Sequence, residues 1–222
     1  MNDKKRIDNI KKFGETDLQQ LLDQTKLHVV VDMGLAFSAM MRLFKKHSKN
    51  MLHTKIYAEL QKFFDAKTPD EFGKIHSELC EWGTREISLA KRNGNDIKNG
   101  KKASYGQIAK TLDVVLKVVI YYSHFPDCMR AQRLSEWLNV AMDTKMMAHV
   151  RREYLKNQDV QSWPKKVDDV CDKETYDLVQ ETVCRYMKDR HLDKLLPSQF
   201  EDILWAKVNK KPWFLTKLSH EI

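Results

Sequence analysis

One stretch of the chain, residues 105–124, constrains the fold more than any other feature of the sequence. It runs for about twenty residues without a proline, whereas an ordinary β-strand ends after about 5–6. Its many β-branched residues make a strand the competing interpretation. A helix that is apolar on nearly every side belongs at the centre of a protein. We therefore predict a buried central helix, whose apolar residues are Ile108, Leu112, Val114, Val115, Leu116, Val118, Val119 and Ile120.

Turn-forming residues are scarce, with 7 glycines and 5 prolines among 222 residues. Sheet proteins with many short strands need frequent turns, and turns draw on these residues. We therefore predict an all-α fold, a single irregular bundle of about eight helices around the central helix 105–124. One domain is expected over residues 1–222, with possible subdivisions near 94–103 and 157–172.

Local capping signals mark several helix starts. Thr68, followed by Pro69 and Glu71, and Ser104, followed by Gln107, are typical of helix N-termini. The helix after Thr68 is expected to continue through Leu89 and to end at Gly94.

The first part of the chain is predicted to form two short helices within residues 4–24, separated at Gly14, and a longer helix from Val29 to Lys46. Intervals of three and four residues place one apolar stripe on one face of this longer helix. Lys45 and Lys46 would then lie at the negative C-terminal end of the helix dipole. The stripe consists of Val30, Met33, Phe37, Met40, Met41 and Phe44.

The sequence contains neither an N-terminal signal peptide nor an apolar run long enough to cross a membrane. Its four cysteines, at positions 80, 128, 171 and 184, form no CxxC pair. We expect a cytoplasmic protein in a reducing compartment, without a membrane partner. His76 and Cys80 are four residues apart, a spacing that two metal ligands can have, but no second pair accompanies them, and we predict no metal or cofactor.

The formal net charge is +8, and the segment 91–102 carries five positive charges and one negative charge. A basic loop that leads into a helix start is suited to binding phosphate groups of RNA or DNA. Solubility alone is the competing explanation of the charge. The predicted contacts are Lys91, Arg92, Lys98, Lys101, Lys102, Tyr105, Gly106 and Gln107.

The central helix carries only three charged residues, Lys110, Asp113 and Lys117. Their spacing places them in one narrow stripe. In one interpretation the stripe faces water and Asp113 pairs with both lysines. In the other it lines a cleft, where Lys110 and Lys117 meet an anionic ligand. Asp143 is either a functional carboxylate beside this helix or a helix N-cap.

Arg185 and His191 lie near the end of another predicted helix. An arginine followed by a histidine at about this spacing resembles the motif of the HEPN family of helical RNases. The resemblance implies that His191 would assist proton transfer at the RNA 2′-hydroxyl and that Arg185 would stabilise phosphate charge. A basic helix C-terminus, favoured by the helix dipole, is the alternative reading of the same residues.

Three functions follow from these features: nucleic-acid binding through residues 91–110, RNA cleavage by Arg185 and His191, and docking of a protein partner without catalysis. The third predicts an exposed apolar patch. No nucleotide-binding loop, dinucleotide fingerprint or nucleophile elbow is present in the sequence.

Overall fold

The computed structural model of the chain describes residues 15–90, 101–156 and 163–211, with side chains from residue 23 onward. Within these ranges the fold is all-α, as predicted, with eight α-helices. They are α1 (Glu15–Phe37), α2 (Lys46–Asp65), α3 (Pro69–Glu86), α4 (Tyr105–Leu116), α5 (Cys128–Ser135), α6 (Thr144–Glu153), α7 (Lys173–Asp189) and α8 (Pro197–Val208). Short 3-10 helices cover Ala39–Leu43 and Val167–Asp169.

The predicted central helix is confirmed. Helix α4 continues as a π-helical turn over Lys117–Tyr122, and α1, α3 and α5 pack against this continuous element. Ser104 and Gln107 form the predicted capping box: the Gln107 amide donates to Ser104 Oγ at 3.3 Å, and the Ser104 amide donates to Gln107 Oε1 at 3.0 Å. Buried apolar residues from all eight α-helices form one core around this element.

The start of the described chain differs from the prediction. A single helix, α1, runs through residues 25–28, where we expected a break, and the predicted break at Gly14 lies outside the described residues. The apolar stripe is buried only in part, because Phe44 is 1% exposed whereas Met33 is 47% and Phe37 67% exposed. Helix α1 presents to the central helix the face that carries Gly34, which lies close beside Val115. A stripe of large side chains would keep the two backbones apart.

Helix α3 ends at Glu86, well before the predicted stop at Gly94, because the next residues pair with two other segments. The Lys45 amide donates to the Ser88 carbonyl at 3.0 Å, and the Leu89 amide donates to the Lys101 carbonyl at 2.9 Å. Isolated antiparallel bridges join Phe44 to Leu89 and Ser88 to Lys102. The extended residues 87–89 therefore hold the chain before α2 beside the chain before α4.

The same pairing corrects the expected position of Lys45 and Lys46. They precede and begin α2, so they lie at the positive N-terminal end of a helix dipole rather than at a negative C-terminal end. The predicted subdivisions near 94–103 and 157–172 stay predictions, and residues 94–100 and 157–162 lie outside the described ranges.

Two glycines on the central packing surfaces permit close approach. A Cβ on Gly34 of α1 would lie 2.9 Å from the Val115 Cα, and a Cβ on Gly106 of α4 would lie 2.5 Å from the Val167 carbonyl oxygen. A Cβ on Gly73 of α3 would meet nothing within 4 Å. Backbone atoms cannot move aside as a flexible side chain can, so the first two positions require glycine for packing.

We expect Gly106→Ala to lower the free energy of unfolding by about 1–3 kcal/mol through overpacking. Gly73→Ala should leave it unchanged or raise it by up to about 1 kcal/mol, because alanine is the better helix former. Urea unfolding followed by circular dichroism measures both. Equal stability of the two variants would contradict the tight contact at Gly106.

Candidate functional site

The charged stripe of the central helix lies inside the protein. Asp113 is 3% exposed and Lys117 7% exposed, and Lys110 is half-buried. The interpretation in which the stripe faces water and Asp113 pairs with both lysines is therefore wrong. Each of the two most buried charges instead finds partners on other helices, because charges removed from water need compensation.

Asp113 is the centre of a buried polar cluster that also contains His76, Cys80 and Tyr176. Its Oδ1 atom lies 2.8 Å from His76 Nε2, and its Oδ2 atom accepts a hydrogen bond of 2.9 Å from the Tyr176 hydroxyl. On the far side of the imidazole, Cys80 Sγ lies 3.7 Å from His76 Nδ1. Both imidazole nitrogens and both carboxylate oxygens therefore have partners within the fold.

The electrostatics of this cluster favour one cation and one anion. Burial lowers the pKa of His76, but the Cys80 sulfur and the Asp113 carboxylate outweigh burial and raise that pKa to about 10. Burial raises the pKa of Tyr176 well above its usual value, with the Asp113 charge acting in the same direction. Burial also raises the pKa of the Cys80 thiol. Burial therefore favours the neutral forms of Tyr176 and Cys80, whereas the groups in contact with His76 favour its protonated form.

A surface cleft of about 540 Å³ opens above this cluster, between α3 and α7. His76, Tyr105 and Tyr176 lie in its floor. The His76 and Tyr176 rings stack with their centroids 5.4 Å apart. The volume lies within the range of about 300–1,000 Å³ that small-molecule sites occupy.

Lys110 borders a second, smaller cavity of about 20 Å³, which Tyr176 also lines. That volume suits about one water molecule. Burial lowers the pKa of Lys110, while the Asp143 and Glu201 carboxylates oppose this effect. Asp143 itself is the N-cap of α6, where its Oδ1 accepts from the Met146 amide at 2.9 Å.

Lys117 is held by α8. Its Nζ donates to Glu201 Oε1 at 2.5 Å and to Asp202 Oδ1 at 3.0 Å. Burial lowers the pKa of Lys117, but the two carboxylates outweigh it and raise the pKa overall, so the ammonium stays charged. Burial raises the pKa of Glu201 more than the Lys117 ammonium lowers it. Its other oxygen accepts from the Ala141 amide at 3.0 Å.

The start of α4, predicted to bind phosphate, is packed within the fold. Tyr105 is 2% exposed and Gln107 is 3% exposed. The Gly106 amide donates to the Val170 carbonyl at 2.8 Å. These groups are engaged by the protein itself, so a phosphate contact here would require this end of the helix to open.

Four exposed lysines from two parts of the chain lie near one another on a different surface. We call this surface the basic edge and define it as Lys45, Lys46, Lys101 and Lys102. The backbone pairing of residues 44–45, 87–89 and 101–102 brings these lysines together from two distant parts of the sequence. Lys102 Nζ also donates to the Glu86 carbonyl at 3.2 Å. Lys91, Arg92 and Lys98 lie outside the described residues.

Arg185 and His191, the candidate RNase residues, are both exposed. Arg185 is in the last part of α7, and His191 follows the helix with a left-handed φ of 56°. Tyr186, next to Arg185, is buried and packs edge-on against Phe200. Their catalytic role stays a prediction.

Among the described residues, no group of three or more histidine, cysteine or acidic side chains is arranged to hold a metal ion. None of the helices in these ranges is sufficiently long and apolar to cross a bilayer. Comparisons of the chain with protein-family models, curated proteins and solved structures found no match.

The sequence reasoning missed the His76–Asp113 pair, although a signal for it existed. His76 lies on the same face of α3 as Phe72, Leu79 and Cys80, all of them buried. Burying an unpaired charge costs free energy, both for a histidine on an apolar helix face and for an aspartate on an apolar central helix. A pairing of the two residues could therefore have been predicted.

We expect the stability of the protein to fall by about 1 kcal/mol per pH unit from pH 6.5 to pH 8.5. In this window the folded state keeps a proton on His76, with a pKa near 10, whereas the unfolded chain, with a histidine pKa of 6.5, releases it. The protonated His76 therefore makes its full contribution to the free energy of unfolding below pH 6.5. That contribution decreases as the pH rises toward 10. Urea unfolding at several pH values measures the slope.

The control for this slope is His76→Gln, which should flatten the pH dependence. If that variant does not fold, NMR titration of the wild-type imidazole gives the same answer, since His76 should stay protonated beyond pH 8. A His76 that titrates near 6.5 would contradict the ion pair with Asp113.

Removing the ammonium of Lys117 should leave the buried Glu201 carboxylate without compensation. We expect Lys117→Met to cost about 3–5 kcal/mol of stability in urea unfolding. The double variant Lys117→Met/Glu201→Gln should recover part of that loss. Lys173→Met, which breaks an exposed pair with Asp177, should have little effect. Equal effects of the two single variants would exclude a special role for the buried pair.

Proposed function

We propose that this protein binds the phosphate backbone of a nucleic acid through the basic edge. The observation that carries the proposal is the pairing of residues 44–45, 87–89 and 101–102, which gathers four exposed lysines from separate parts of the chain. Neighbouring paired segments lie about 4.8 Å apart, so Lys45 and Lys102, on either side of Ser88, are within about 10 Å of each other. Such spacing suits contacts to successive phosphates.

The α2 N-terminus strengthens the positive potential of the basic edge. Among the described residues, no acidic side chain lies in the first turn of α2, and no side chain caps its N-terminus. Lysines at the positive end of a helix dipole are mildly destabilising in the free protein. An anion bound there would relieve the repulsion and would also meet unpaired backbone N–H groups.

The predicted basic segment 91–102 adjoins this edge at both of its ends. The Leu89 amide and the Lys101 carbonyl form a hydrogen bond, and the Ala90 amide donates to the Leu43 carbonyl at 2.7 Å. The contribution of Lys91, Arg92 and Lys98, which lie outside the described residues, stays a prediction. Since Tyr105, Gly106 and Gln107 are packed within the fold and Lys117 is paired with α8, the proposal centres on the edge rather than on the start of the central helix.

A second candidate function, docking of a protein partner, is favoured by one observation. Val29, Met33 and Phe37, spaced four residues apart along α1, are 53%, 47% and 67% exposed. They form an apolar row on the outer face of that helix, the kind of surface that a partner would cover.

Replacing the four lysines of the basic edge by alanine should weaken binding to a labelled DNA duplex by at least about tenfold at 50 mM salt. If each lysine contacts one phosphate, the slope of log affinity against log salt should fall by up to about 3.6. Fluorescence anisotropy at 50–200 mM salt gives both quantities, and single-stranded RNA serves as a second ligand.

The matched control removes four exposed lysines from other surfaces, Lys62, Lys67, Lys165 and Lys194. It has the same net charge as the basic-edge variant and should bind like the wild type apart from a small general effect. Equal losses in the two variants, or no wild-type binding at 50 mM salt, would refute the proposal. Loss of RNA cleavage in His191→Ala would instead support the RNase prediction.

A further inference from the structure

Lys110 differs from Lys117, the other lysine of the charged stripe, because it has no partner. Lys117 donates to two carboxyl groups of α8. Lys110 is half-buried, yet among the described residues it makes neither a hydrogen bond nor an ion pair. Asp113, one turn further along α4, does not serve Lys110, because its two oxygens are bound to His76 and Tyr176. An amine held partly out of water without a counter-ion loses free energy when it is protonated.

The cavity beside Lys110 is small and mainly apolar. Its volume of about 20 Å³ suits about one water molecule. Asp113 and Tyr176, which also line it, are hydrogen-bonded to each other. The Gln180 side chain is bonded to both backbone groups of Val140. The other side chains of the lining are apolar and buried: Met142, Met147, Val167, Val170 and Val179.

The surroundings of Lys110 favour its neutral form. Burial lowers the pKa of Lys110, and the Lys117 ammonium acts in the same direction. The Asp143 and Glu201 carboxylates, and more weakly Asp113, oppose burial without outweighing it. A lysine with the usual pKa of about 10.4 is neutral in only about one molecule in 2,500 at pH 7. Lowering the pKa multiplies this fraction, and the neutral amine is the nucleophilic form.

We propose that Lys110 is a nucleophilic lysine that forms a Schiff base with a small aldehyde. The lone pair of Nζ attacks the carbonyl carbon, and both protons of the neutral amine pass to the carbonyl oxygen. That oxygen leaves as water, so that a C=N bond replaces the C=O bond without oxidation or reduction. The apolar lining keeps water away from the imine and slows its hydrolysis. This site is separate from the basic edge and does not depend on nucleic-acid binding.

The size of the cavity limits the aldehyde. Room for about one water molecule accepts a short alkyl group beside the new C=N bond, but not a long one. Because Lys110 is half-buried rather than enclosed, a small reagent can reach its side chain from solution. Acetaldehyde is therefore a suitable probe, and hexanal is too long for the cavity.

Reductive ethylation of the full chain tests the proposal. The protein is treated with limiting acetaldehyde at pH 7, and cyanoborohydride traps each imine by delivering a hydride to its carbon. Peptide mass spectrometry then locates the labelled lysines. Lys110 should be labelled at least about tenfold faster than the exposed Lys67 and Lys165, because a larger fraction of it is neutral. Lys117 should stay unlabelled, since its ammonium is held by Glu201 and Asp202.

Two conditions separate the folded site from the local sequence and from general reactivity. In urea the cavity is lost, so Lys110 should be labelled at the same rate as Lys67 and Lys165. With hexanal the preference for Lys110 should disappear in the folded protein as well. Lys110→Arg keeps a positive charge but forms no such imine. That variant should lose the fast label and should bind a DNA duplex like the wild type.

Two matched variants test the effect of the surrounding charges. Asp143→Asn removes a carboxylate that favours the protonated Lys110, whereas asparagine still caps the N-terminus of α6. It should speed the labelling of Lys110 by at least about threefold at pH 7. Asp127→Asn makes the same change at the N-cap of α5 and should leave the rate unaltered. Circular dichroism establishes that both variants are folded.

Three results would each overturn the proposal. One is labelling of Lys110 in the folded protein that is no faster than labelling of Lys67 and Lys165. Another is a preference for Lys110 that persists in urea, which would assign it to the local sequence. The third is equal labelling of Lys110 in Asp143→Asn and Asp127→Asn.

Discussion

Two charged side chains of the central helix are buried, and their need for partners organises the helices around it. Asp113 is contacted by His76 from α3 and by Tyr176 from α7, while Lys117 is contacted by Glu201 and Asp202 from α8. Taking an ion out of water costs several kcal/mol, and a displaced partner would expose the whole of that cost. Each ionic contact therefore fixes the position of its helix more narrowly than apolar packing does. Apolar packing tolerates the exchange of one side chain for another of similar volume.

The position of α3 links the buried polar cluster, the cleft and the basic edge. Its inner face supplies His76 to the buried cluster, and the adjoining face forms one wall of the cleft. Its C-terminal end leads directly into residues 87–89, which hold the lysines of the basic edge together. One helix thus separates the cleft from the basic edge.

Close backbone contacts explain why the apolar stripe on α1 does not mark the face that meets the central helix. Periodicity identifies the face with the most large apolar residues, and on α1 that face includes Met33 and Phe37. The face that meets the central helix is instead the one with Gly34, where the helices approach closely beside Val115. Small residues contribute little to a hydrophobic pattern, although they decide where two helices can come nearest.

The sequence by itself determined the helical class, the apolar central helix and the N-caps at Thr68 and Ser104, because these depend on neighbours within a few residues along the chain. It also showed that Lys110, Asp113 and Lys117 share a stripe. Only the tertiary structure decided that Asp113 pairs with His76, 37 residues away, and that Lys117 pairs with Glu201, 84 residues away. It likewise decided that Lys45 and Lys46 begin a helix beside Lys102 rather than end one. These pairings depend on which distant segments of the chain come into contact. The free energy that favours one set of contacts comes from burial and charge compensation summed over the whole fold.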